Sequence, residues 1–175
     1  MRARSCVLVL LLVCMPAHSA QLGVGQAPSA ELLRAWDIDI SPNGAGLPSG
    51  SGDAVLGRPL YAQLCAACHG GAGEGGPMDR LVGGMGTLIS GKPVKTVGSF
   101  WPYATTLFDY IRRAMPFNAP QTLTNDQVYA LCAYVLYLNG IVAETDTLDA
   151  RTLPMVVMPN RSGFVPDPRP DVRSH

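Results

Sequence analysis

Apolar side chains recur at helical spacing in three stretches between residues 53 and 140. In the first, Leu56, Leu60, Tyr61 and Leu64 follow Asp53, whose short carboxylate suits a helix N-cap. The second runs from Ala104 to Ala114 between Pro102 and Pro116, with Leu107, Phe108, Tyr110 and Ile111 forming a broad apolar face. The third opens on Thr124 with Gln127 three residues later, a capping-box pattern, and continues through Val128, Leu131, Val135 and Leu138 to a stop at Asn139-Gly140. Gly57 and Tyr61 share one face of the first helix, so the backbone of the last helix is expected to approach at Gly57, with Tyr134 packed into the notch. The pattern predicts an all-α domain over residues 53–140.

The flanks lack this periodicity. Residues 21–52 carry Ser41-Pro42-Asn43-Gly44 and Pro48-Ser49-Gly50-Ser51-Gly52, turn chemistry with at most a short ordered piece around Leu32 to Ile40. Residues 141–175 hold Pro154, Pro159, Pro166, Pro168 and Pro170 and cannot continue as helix. Both ends read as extended arms, too rich in Gly and Pro to join a packed core. Residues 1–20 read as a secretory signal peptide: Arg2 and Arg4, an apolar run from Val7 to Val13, a break at Pro16, and small residues Ala17, Ser19 and Ala20. The mature chain then begins near Gln21. The apolar run is shorter than the roughly 20 residues of a membrane-spanning helix, so no span is expected.

Charge excludes some partners. The chain balances 13 basic against 13 acidic residues, and loss of Arg2 and Arg4 with the leader leaves 11 basic residues against 13 acidic. Only Lys92 and Lys95 remain as lysines, so neither a nucleic-acid surface nor a lysine ring for steering diffusible partners is suggested. The leader also takes Cys6 and Cys14, which leaves Cys65, Cys68 and Cys132. Cys132 lies in the last apolar pattern, where a free cysteine behaves as a small buried hydrophobe.

Cys65-Ala66-Ala67-Cys68-His69 is the candidate site. Two thiols one helical turn apart can each form a thioether with a vinyl group of one porphyrin, while the adjacent imidazole supplies the proximal nitrogen to iron. A thioredoxin-like CxxC would want a βαβ context, and a zinc site a second Cys/His pair; neither is present in the sequence. One CxxCH implies one covalently bound haem c. A second axial ligand comes from methionine, since His18 leaves with the leader and His175 ends the chain. Met115 is preferred because it stands where the middle helix must turn and Pro116 stiffens the loop. Met78 and Met85, in the Gly-rich stretch soon after His69, are the alternatives.

CxxCH after a first helix, a Met-Pro loop downstream and a last helix crossing the first resemble a class I cytochrome c domain with extended N- and C-terminal arms. Within that class, the run from Gly98-Ser99-Phe100-Trp101-Pro102-Tyr103 through Arg112-Arg113-Ala114-Met115-Pro116 resembles the SoxD family, as do Leu138-Asn139-Gly140-Ile141 and Met158-Pro159-Asn160-Arg161. The resemblance implies haem held by Cys65, Cys68, His69 and Met115, with His69 and Met115 on the iron. It implies a periplasmic electron-transfer subunit of a sulfite or sulfur dehydrogenase rather than a catalytic chain. Its partners would be a molybdenum-containing, sulfite-oxidase-like subunit as donor and a downstream c-type cytochrome as acceptor, with arms that wrap the partner. The alternative is a free-standing diffusible carrier. Trp101, Tyr103, Arg112 and Arg113 are candidates for haem-propionate or partner contacts and equally for ordinary packing.

Overall fold

The computed structural model describes residues 24–169. The expected leader, with Cys6, Cys14 and His18, and the terminal His175 lie outside the described residues. Among the described residues six α-helices follow in order: α1 (Ala30–Trp36), α2 (Ala54–Leu64), α3 (Ala66–His69), α4 (Val97–Phe100), α5 (Ala104–Ala114) and α6 (Asn125–Leu138). The strands β1 (Ser51–Gly52) and β2 (Leu148–Asp149) pair antiparallel, Ser51 opposite Asp149 and Gly52 opposite Leu148. The all-α class therefore holds, with this short sheet added. No helix among the described residues is long and apolar enough to cross a membrane.

The helix signals in the sequence act as physical caps. Asp53 accepts from the Leu56 N–H at 2.9 Å to start α2, and the Thr124–Gln127 box closes in both directions to start α6. Helix α6 ends at Asn139, with Gly140 at φ +68°. Every residue of α6 from Val128 to Leu136 is buried, so the helix forms the axis around which the others pack. Phe108 of α5 meets Tyr129 of α6 with ring centroids 4.5 Å apart, and Tyr61 of α2 meets Tyr134 at 5.3 Å.

Helix α2 turns its Gly57–Tyr61 face to α6 as expected, but does not bury all of its leucines. The leucines were expected to point inward, yet Leu56 is 59% exposed and the buried residues are Ala54, Gly57 and Tyr61. The cause is the closeness of α6. A Cβ at Gly57 would overlap the Ala130 carbonyl and stand 2.7 Å from the Tyr134 Cβ, so no side chain fits at the point of closest approach, and the leucines lie to its flanks. The expected notch at Gly57 is present, with Tyr134 beside it.

The ends also differ from expectation. Leu148, Leu153 and Met158 are at most 3% exposed and belong to the main core, so proline density did not keep the C-terminal segment out of it. Prolines stop helices, but an irregular chain can still insert single side chains when its backbone is satisfied elsewhere: the Asp149 carboxylate accepts from the N–H groups of Arg151 and Thr152 at 2.7 and 2.8 Å. Residues 39–52 are likewise stitched to the domain. The Tyr129 hydroxyl donates to the Pro48 carbonyl at 2.8 Å, Asn125 Nδ2 donates to the Ser49 carbonyl at 3.1 Å, and Ile40 and Leu47 pack against the core. Helix α1, further out in the N-terminal segment, has no buried residue.

Candidate functional site

Helix α2 delivers its last turn directly into the CxxCH motif. Cys65 ends α2, its N–H donating to the Tyr61 carbonyl at 2.9 Å, and at the same time precedes α3, where the N–H groups of Cys68 and His69 donate back to its carbonyl at 3.1 and 3.0 Å. The two thiols thus lie three residues apart on one tight turn, Cys65 half-buried and Cys68 exposed. Gly70, at φ +84°, ends the turn in a conformation that L side chains resist. Its carbonyl accepts from the Tyr61 hydroxyl at 3.1 Å. Burial pushes the Tyr61 hydroxyl up to about 12, so it remains a protonated donor at neutral pH.

His69 is oriented by the following loop. Its Nδ1 lies 2.7 Å from the Asp79 carbonyl oxygen. A carbonyl only accepts, so Nδ1 carries the proton and Nε2 keeps its lone pair for a metal, the arrangement by which an outer partner fixes the tautomer of a ligating histidine. The loop is itself pinned: the Met78 N–H donates to the Cys68 carbonyl at 3.0 Å and the Gly75 N–H to the His69 carbonyl at 2.8 Å. Glu74 accepts from the Ala72 N–H at 2.7 Å, and backbone N–H groups hold its carboxyl below its ordinary range.

The thiols do not resemble a redox dithiol. Burial, and then the neighbouring Cys68, push the Cys65 thiol up to about 11, whereas an oxidoreductase CxxC lowers the pKa of its attacking thiol. No group of three or more His, Cys, Asp or Glu side chains able to hold a metal occurs among the described residues. Cys132 is fully buried, its thiol raised by desolvation alone, and it plays the packing part expected of it.

Met115 lies on a separate element. It caps α5, its N–H donating to the Ile111 carbonyl at 3.0 Å, and is half-buried against the same core cluster as Cys65. Met78 and Met85 are half-exposed on the loop after His69. Of the aromatic and basic candidates, Trp101, Tyr103 and Arg113 each have a protein partner. Trp101 meets Tyr110 edge-on at 5.8 Å, Arg161 lies 4.3 Å over the Tyr103 ring, and Arg113 pairs with Asp109 and Asp39. Sequence reasoning missed Asp79, because the group that matters there is a backbone carbonyl with no side-chain signature. It also missed the Tyr61–Gly70 bond, although helical spacing marked Tyr61 as inward-facing.

This donor set suits haem: an imidazole with a free Nε2, two closely spaced thiols on one turn and a thioether sulfur on another element. Comparison with known proteins agrees. The family described as cytochrome c oxidase, cbb3-type, subunit III matches residues 52–135. The crystal structure of the sulfane dehydrogenase SoxCD from Paracoccus pantotrophus contains a chain 45% identical to this one. The match covers 85% of this chain and 74% of that one, with a TM-score of 0.79. A cytochrome c domain that begins beside β1 and runs through most of α6, continued into both flanks by the likeness to a SoxCD chain, makes this protein a member of the SoxD-like c-type cytochromes.

Proposed function

We propose that this chain is the monohaem electron-transfer subunit of a periplasmic sulfur or sulfite dehydrogenase, carrying single electrons from a molybdenum-containing, sulfite-oxidase-like subunit to a downstream c-type cytochrome. The observation that carries the reading is the CxxCH turn with its oriented His69, set in a chain 45% identical to one of a sulfane dehydrogenase. Cys65 and Cys68 would bond the haem covalently, His69 Nε2 would take one axial position and the Met115 sulfur the other. Haem held in this way supplies a one-electron iron couple, and methionine opposite histidine raises its potential relative to two histidines.

The chain's own residues have no acid–base work in this scheme. The Asp79 carbonyl holds the histidine in one tautomer, Tyr61 secures the end of its turn, and Cys65 and Met115 pack against the core. The surface suits a permanent partner. Helix α1 has seven residues, below the length at which isolated helices are stable, and leaves Leu32, Leu33 and Trp36 exposed for the molybdenum subunit to cover.

The test is affinity purification of the mature protein from its native periplasm, followed by metal analysis and a haem-reduction assay with sulfite and with a sulfane-sulfur donor. Co-purifying molybdenum and rapid haem reduction by either substrate are expected. A molybdenum-free monomer that exchanges electrons only with added redox proteins would replace this reading with that of a free-standing carrier.

A further inference from the structure

Helix α5 is fastened near both ends by one short piece of the N-terminal segment. At its start the buried Thr105 hydroxyl donates to the Pro42 carbonyl at 3.4 Å. In its last turn the Arg113 guanidinium lies 2.8 Å from Asp39 and 2.8 Å from Asp109, one turn back, with a second bond from Nε to Asp109 at 3.4 Å. The strap that carries Asp39 is a formed structure. Ile40 packs against the core, and the Ser41 N–H donates to the Ala45 carbonyl at 2.9 Å. Two residues after Arg113 the backbone leaves the helix at Met115.

We propose that Arg113 is a positioning residue for the iron: bridging Asp39 of the strap and Asp109 of α5, it fixes the last helical turn so that the Met115 sulfur resists displacement. The inference rests on the reading of Met115 as an axial ligand. Partly exposed ion pairs contribute little to global stability, so the effect of this bridge is local. Arg113 joins a segment 74 residues earlier in the chain to the turn that presents the sulfur, and without it the end of α5 is free to fray.

The experiment uses the haem-loaded mature protein and titrates the ferric form with imidazole, which must displace the methionine. The readouts are imidazole affinity and the weak far-red band of methionine-ligated ferric haem, with thermal unfolding measured alongside. Arg113→Ala is expected to raise imidazole affinity by about fivefold. Asp39→Asn is expected to raise it by less, and to add nothing in the Arg113→Ala background. Arg169→Ala, which removes an exposed ion pair with Asp167, should titrate like the wild type. Wild-type affinity in Arg113→Ala, or full additivity of the two variants, overturns the proposal. Should Arg113→Ala fail to fold, wild-type affinity in Asp39→Asn overturns it instead. Met115→Ala separates the two readings. Retention of the far-red band there removes Met115 as the ligand, whereas its loss alongside an unchanged Arg113→Ala refutes the bridge alone.

Discussion

The Tyr61 hydroxyl donates to the Gly70 carbonyl at 3.1 Å, so the ring that packs against Tyr134 at the α2–α6 crossing also secures the end of the CxxCH turn. Helix packing and site geometry therefore share one side chain. Tyr61→Phe keeps the packing and removes only the bond. The Gly70 carbonyl retains the Gly73 N–H at 3.3 Å, so no acceptor is orphaned, and the expected loss is about 1 kcal/mol. Denaturant unfolding with an unchanged slope and a lowered midpoint would show it.

Covalent attachment through both thiols predicts that the wild-type protein keeps its haem through denaturation and acid extraction. The double variant Cys65→Ser, Cys68→Ser should release it under the same treatment. Haem staining of a denaturing gel distinguishes the two, and stain retained by the double variant would exclude these cysteines as the attachment points.

Glu74 gives the loop after His69 a pH dependence of known sign. Hydrogen bonds from backbone N–H groups, first its own and then that of Ala72, lower its carboxyl pKa in the folded state from the ordinary 4.5. Its stabilising contribution is thus fully present above that value and lost as pH falls through the depressed one. Glu74→Gln should be less stable than the wild type at neutral pH, with the gap closing below about pH 4.5. A gap that stays constant across an acid titration of the unfolding midpoint would contradict this.

Leu153 is fully buried although it lies in the proline-rich tail. Leu153→Ala should cost about 3 kcal/mol, as a large-to-small change in a packed core does. A cost near zero in equilibrium unfolding would mean that the tail rests on the domain without belonging to its core.

Much of this protein was legible in its sequence because the signals involved are local. Asp53, the Thr124–Gln127 box and Asn139-Gly140 mark helix ends through bonds spanning three or four residues, and Cys65, Cys68 and His69 share one turn whatever surrounds them. Packing was less legible. The leucines of α2 satisfy a hydrophobic pattern, yet Leu56 is exposed, because α6 crosses α2 at Gly57, where no side chain fits.

The sequence by itself determined the spacing of Cys65, Cys68 and His69 on one turn and the bounds of the main helices, since both depend on residue identity at short separations. Only the tertiary structure decided that Leu56 is left exposed, that Leu148, Leu153 and Met158 join the core, that Asp79 orients His69, and that Asp39 reaches Arg113. Each of these depends on a contact between distant segments or on a backbone carbonyl that every residue possesses, and neither leaves a mark in the order of side chains.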